Sequence, residues 1–459
     1  MLLNTVLLMS GGAVQALQLL AALSLLILLH EFGHFFFARL FKTRVEKFYL
    51  FFDFLFPFPS LLNFSLFKKK KGDTEYGLGW FPLGGYVKIA GMVDESMDKD
   101  AMKLPPQPWE YRSKKAWQRL FIMLGGIIMN VLVAIFIYTL IFGVWGEEYL
   151  PAKNVTNGIA VDSLGESVGF KNGDMVVSMD GKPVNRFSEI KYGILFDGIK
   201  TVQVMRDGQQ VDVAIPDGTI RKIIKQQRGF ISVRMPFIIR GIDKTGAAFK
   251  MGLQKDDSII AVNGQPIRFF DEYETIKKDL GGKPIVFTVV RNANTLTING
   301  ELPQNKLLGV ERELDVTRYY QFESIKYNVL TAIGRGFSFT FEQVGNYWHQ
   351  LKMIFTSKEV KASESLGGIV SFGKMFPTEF DWQDFLMLTA FVSIILAVMN
   401  LLPVPGLDGG YVIFLLYEMI TRRQVSEKVM ERATTAGLIL LLGLMLYANG
   451  LDIFRLFSK

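Results

Sequence analysis

His30-Glu31-Phe32-Gly33-His34 lies near the end of an apolar run in which residues 1–29 carry no Lys, Arg, Asp or Glu, and which reaches Leu40. On a helix the two histidines stand one turn apart on one face. Both imidazoles can then share one metal ion, and Glu31 can reach a water on that ion. Two histidines and a glutamate are expensive inside an apolar span and are kept there for function. The chain of 459 residues has no cysteine, and its only other histidine is His349. Cysteine-ligated zinc and disulfides are therefore excluded. A catalytic zinc takes three protein ligands and keeps one position open.

Working outward, the composition supports a membrane reading. The chain is 49% hydrophobic, with a net charge of +7 and a mean hydropathy of +0.24. A basic excess of this size fits loops beside a membrane, and no nucleic-acid partner is expected. A span is predicted at about 14–40, because no basic residue precedes Arg39 to mark a cleaved leader. Uncharged stretches follow from Leu120 to Gly146, from Phe385 to Leu407 and from Ala433 to Leu451. Each can cross ~30 Å of hydrocarbon as a helix. The third is broken by Pro403, Pro405 and Gly406 and resumes at Tyr411.

Lys and Arg orient these spans. Arg44, Lys47, Lys68 to Lys71, Lys88, Lys114, Lys115 and Arg119 crowd the first connection, and Arg422, Arg423, Lys428 and Arg432 the last. The positive-inside rule places both in the cytoplasm and the stretch 147–384 outside. His349 then falls on the wrong side for the metal. The third ligand must be a carboxylate near membrane depth, and Asp408 is the only acidic residue in the third stretch. Irregular backbone at that depth, as in Asn400-Leu-Leu-Pro403-Val-Pro405-Gly-Leu407-Asp408, is tolerated where it lines a protein cavity.

The outer stretch repeats itself. Gly165 to Asp174 leads into Val176 and then Asp180-Gly181-Lys-Pro183; Gly246 to Asp257 leads into Ile259 and then Asn263-Gly264-Gln-Pro266. Each copy reads as a small-residue helix, a turn, a strand and an Asp-Gly or Asn-Gly hairpin. The pattern resembles PDZ domains. Further on, Phe322, Ile325, Val329, Ile333, Phe337, Phe341, Val344, Trp348 and Leu351 recur at helical steps, which predicts an amphipathic helix on the membrane surface or on the second repeat.

The motifs together resemble the site-2 protease family of intramembrane metalloproteases, in its bacterial regulator-of-sigma-E form with tandem PDZ-like domains. His30 to His34 and the Asn400 to Gly409 segment match its metal motifs. Pro82-Leu-Gly-Gly-Tyr86-Val87-Lys88-Ile89 is similar to its cytoplasmic membrane-associated β-loop, and Gly126-Ile-Ile-Met-Asn130 to its second-span motif. The expected fold is a polytopic α-helical membrane protein with four transmembrane helices, two extracytoplasmic β-rich PDZ-like domains and that β-loop. Its expected parts are a first helix at 1–41, a cytoplasmic loop at 42–115 with the β-loop at 74–93, and a second helix at 116–146. PDZ-like domains follow at 147–224 and 225–304, then an outer amphipathic helical segment at 305–384. A broken third region at 385–420, a cytoplasmic loop at 421–432 and a fourth helix with its tail at 433–459 complete the chain.

The resemblance implies Zn2+ on His30, His34 and Asp408, with Glu31 as general base. It implies substrate contacts from Asn400, Pro403, Pro405, Tyr86, Val87 and Lys88. It further implies a bacterial inner-membrane enzyme, embedded in lipid, whose active site lies near the cytoplasmic side. Its substrates would be single-pass transmembrane proteins first trimmed outside by a site-1-type protease, such as anti-sigma factors or signal-peptide remnants. The alternative is a membrane-anchored PDZ scaffold or adaptor without proteolytic activity.

Overall fold

The structure, a computed structural model, describes residues 11–55, 61–82, 84–92, 105–226, 230–356 and 366–457. Leu83 of the 82–89 segment, the end of the 74–93 β-loop, part of the Phe-rich run before Ser60, and residues 357–365 of the outer helical segment lie outside the described residues. The chain forms two compact units. One holds the described residues up to Gly146 together with those from Lys326 to Phe355 and after Ser365; the other holds Glu147–Ile325 and Thr356.

Among the described residues, four helices of the first unit are long and apolar enough to cross a membrane. They are α1 (Gly11–Leu40), α2 (Ala116–Val144), α4 (Trp382–Leu401) and α6 (Glu427–Phe457). Leu26 of α1, Ala134 and Ile141 of α2, and Ala390 and Ile394 of α4 are fully buried in one cluster. Hydrocarbon gives helices no hydrophobic reason to associate, so close approach through small residues must do it. Gly33 and Gly125 supply that approach between α1 and α2. A Cβ on Gly125 would lie 2.5 Å from the Gly33 carbonyl oxygen.

A further helix, α3 (Val329–Thr356), packs along α2 and α4. The helical face expected from Phe322 begins only at Val329, because Ile325 belongs to a strand, Glu323–Ile325. Ala332, Gly336 and Thr340 form the seam, and Phe339 meets Tyr138 edge-on at 4.8 Å. Of the α3 residues that carried the predicted period, Val344 and Leu351 pack inward and the others point away. Ile333, Phe337, Phe341 and Trp348 are about half exposed, a face suited to lipid.

The third apolar stretch splits where its sequence demands. Pro403 and Pro405 offer no backbone N–H, so α4 stops at Leu401 and α5 (Asp408–Thr421) starts beyond the break. Gly406 takes φ +96°, open to glycine at low cost. A Cβ on Gly437 of α6 would stand 1.5 Å from the Pro405 carbonyl oxygen, so the last span seats directly on the break.

The β-loop is wider than the 74–93 segment. Strands β1 (Val45–Leu50), β2 (Ser65–Lys71), β3 (Thr74–Gly79) and β4 (Tyr86–Ile89) form one sheet in the order β2-β3-β1-β4. The lysine run occupies the exposed edge strand β2, where like charges discourage further pairing.

The second unit contains two modules of one strand order. In the first, β5 (Met175–Met179), β6 (Lys182–Pro183), β7 (Thr201–Arg206) and β8 (Gln209–Ala214) pair as β6-β5-β7-β8. In the second, β9 (Ser258–Val262), β10 (Gln265–Pro266), β11 (Pro284–Arg291) and β12 (Asn294–Glu301) pair as β10-β9-β11-β12. The copies also share an ion pair. Arg206 grips buried Asp174 through two bonds of 2.7 Å, and Arg291 grips buried Asp257 in the same way. Each module runs past its expected end. Ile231–Val233 pairs back onto Ile159–Val161, and Val310–Arg312 onto Ile239–Ile242. These closing strands are three residues long, too short to show a period in sequence.

Candidate metal centre

The α1 helix presents His30 and His34 toward α2, and the start of α5 presents Asp408 to both. His30 Nε2 and His34 Nε2 are 3.2 Å apart. Asp408 Oδ2 lies 3.3 Å from the first and 3.4 Å from the second. Two donors about 2.0–2.1 Å from one tetrahedral zinc stand roughly 3.4 Å apart, so this triangle has the size of three zinc ligands. Asp408 Oδ2 is buried and accepts no hydrogen bond, which leaves a carboxylate oxygen free for a cation. No other group of three His, Cys, Asp or Glu side chains among the described residues converges in this way.

Helix α2 builds the back of the site. Ile122, Gly126 and Asn130 recur every four residues, matching the spacing of the two histidines across the interface. The carbonyl of Ile122 accepts from His34 Nδ1 at 2.8 Å. The side-chain amide of Asn130 lies 3.1 Å from His30 Nδ1. Between them, a Cβ on Gly126 would meet His30 and His34 ring atoms at 2.4–2.6 Å. Only glycine leaves room for two imidazoles against this helix.

The remaining expected residues divide. Glu31, Tyr86, Val87 and Asn400 line one cavity of about 1210 Å³ together with His30, His34 and Asp408. Pro403 and Pro405 shape the break beside that cavity and do not line it. Lys88 turns to Glu46, 3.5 Å away. Tyr86 stacks on Tyr49 at 5.2 Å and donates to Asp53 at 2.9 Å. His349 is exposed on α3, apart from the metal-sized group. Sequence reading named Asn130 without a role and passed over Gly33. Their signal was the four-residue register of small and polar positions on α2 against the histidines of α1.

Comparison with known proteins agrees with this geometry. The profile of Peptidase family M50 matches residues 18–444. A Neisseria meningitidis protein with zinc metalloprotease in its name is 30% identical over 96% of this chain and 99% of its own length. Protease RseP of Yersinia pestis is 28% identical over 96% and 97%. Regulator of sigma-E protease RseP of Escherichia coli is 28% identical over the same shares.

Proposed function

Because this chain belongs to peptidase family M50 and is a zinc metalloprotease of the membrane, we propose that it cuts transmembrane segments of pre-trimmed single-pass proteins within the bilayer. The observation that carries the reading is the His30, His34 and Asp408 triangle at the edge of a cavity walled by membrane-length helices. These three side chains are the zinc ligands on this reading. Zinc, when bound there, supplies Lewis acidity that makes a water acidic and polarises the scissile carbonyl.

The chain's own residues do the rest. Glu31, on the cavity wall, takes the proton of the attacking water. Asn400 donates to the substrate carbonyl as charge develops on it. A helix cannot be cut while its backbone is satisfied internally, so the substrate must be held unwound. Among the described residues β4 is the last strand of its sheet, and Tyr86 and Val87 border the cavity. An extended substrate adds there as a further strand.

On this reading the modules of the second unit are PDZ-like and lie outside the inner membrane of a bacterium, whereas β1 to β4 lie on the cytoplasmic side. They screen substrates, admitting those whose outer domain a first protease has removed. Relatives are named regulators of sigma-E protease. The corresponding substrate class here is a membrane-tethered anti-sigma factor, with signal-peptide remnants as a second supply. The test is a transmembrane reporter reconstituted with the protein in liposomes. Cleavage inside the span should stop when a chelator strips zinc and return when zinc is restored. A cut that persists without zinc, or falls only outside the bilayer, overturns the proposal.

A further inference from the structure

A histidine that gives Nε2 to a metal carries its proton on Nδ1, and the acceptor of that proton fixes the ring. For His34 the acceptor is plain, the Ile122 carbonyl at 2.8 Å. For His30 the hydrogen-bonding neighbour at Nδ1, among the described residues, is the Asn130 amide, with its nitrogen turned to the ring at 3.1 Å. In that setting Asn130 Oδ1 is buried with no partner. The donor-first setting also forces the His30 proton onto Nε2, the atom that faces Asp408. The two ends of an amide have nearly the same shape, and the hydrogen-bond network decides between them. Half a turn of the amide sets Oδ1 against Nδ1–H and gives the unpartnered acceptor its donor.

We propose that Asn130 is a positioning residue whose side-chain oxygen accepts the Nδ1 proton of His30 and thereby aims Nε2 at the metal. Asn130 is wholly buried, so water does not compete for that proton. Its backbone is pinned as well: Ser393 Oγ of α4 donates to the Asn130 carbonyl at 2.8 Å. It does not border the cavity, which separates it from groups that touch substrate. Helix α2 then orients both histidines, one through a backbone carbonyl and one through a side chain two turns on. The inference rests on the ligand assignment made above.

The experiment measures zinc affinity, not cleavage. Full-length protein carrying Glu31→Gln is titrated against a chromogenic chelator, alone and with Asn130→Leu or Asn130→Asp. Thermal unfolding of each is recorded without zinc. Loss of an orienting partner weakens metal binding by about 10–100-fold. Asn130→Leu should show that loss while its zinc-free unfolding midpoint stays near the parent's. Asn130→Asp keeps an oxygen acceptor and should bind zinc within a few-fold of the parent. Equal affinity in Asn130→Leu overturns the proposal. So does an Asn130→Asp as weak as Asn130→Leu, or a loss in either that merely tracks a lowered zinc-free midpoint. A parallel His30→Ala variant separates the two layers: if it binds zinc as the parent does, the ligand assignment fails and the positioning role falls with it.

Discussion

Gly33 of α1 and Gly125 of α2 touch backbone to backbone, and a Cβ on Gly33 would lie 2.1 Å from the Gly125 carbonyl oxygen. The contact sits one residue from His34 and one from Gly126, so it sets the distance between the histidines and the helix behind them. Gly33→Ala must push the helices apart. Overpacking of this kind costs about 1–3 kcal/mol. The expected outcome is a lower unfolding midpoint in detergent together with weakened zinc retention. An alanine variant with normal midpoint and normal zinc content would show that the contact does not set the site.

Glu31→Gln separates chemistry from structure. An amide cannot take the proton of water, and a general base contributes about 10²–10⁴-fold in rate. The variant should keep its zinc and its fold and lose reporter cleavage by a factor in that range. Substantial residual turnover would remove Glu31 from the base role.

Arg119 of α2 and Glu418 of α5 form an ion pair, and both side chains are largely buried. The pair ties the helix that begins with Asp408 to the helix that backs the histidines. Breaking one partner of a buried pair strands the other charge, at about 3–5 kcal/mol. Glu418→Ala should therefore lower both stability and activity, and the double change Arg119→Leu with Glu418→Leu should recover much of the stability. Full independence of the two single effects in a double-mutant cycle would deny the coupling.

Single cysteines make topology measurable, since the chain has none of its own. Cysteines placed at Lys70 and Arg422 should react from the cytoplasmic side, and those at Asp180 and Asn263 only from outside. The reverse pattern would overturn the orientation and the substrate reading built on it.

The modules of the second unit can be removed as a block. Glu147–Tyr149 pairs with Glu323–Ile325, so the entry and exit of the second unit lie side by side. Deleting residues 150–322, so that the closing strand Val310–Arg312 leaves with its module, and joining the ends with a flexible linker should raise cleavage of a substrate whose large outer domain is intact. A pre-trimmed substrate should be cut about as before. Slower cutting of the trimmed substrate, with the intact one still resistant, would mark the modules as a binding platform.

What could be read from sequence followed from cost. Charged and metal-binding groups stand out in an apolar run, so His30, Glu31, His34 and Asp408 were visible before their meeting was. The repeat showed through its turns, because Asp180 and Asn263 adopt positive φ and are each followed by a glycine that does the same. The sheet was half hidden. Ser65 to Lys71 shows no alternation, since an exposed edge strand has no buried face to record. The seam of α3 was hidden for the opposite reason: Ala332, Gly336 and Thr340 are too small to register as a stripe beside Phe337 and Phe341. Contacts made by what is missing, such as Gly33 on Gly125, leave no periodic trace at all.

The metal triangle also has a consequence in time. Two of its corners are made early in synthesis, and the third, Asp408, arrives only after most of the 459 residues have left the ribosome. At ~5–20 residues per second that interval is on the order of tens of seconds. On the ligand assignment proposed above, the chain holds two of the three ligands during that interval and lacks the third. On that assignment, a chain that stalls before its third apolar stretch cannot complete the metal site.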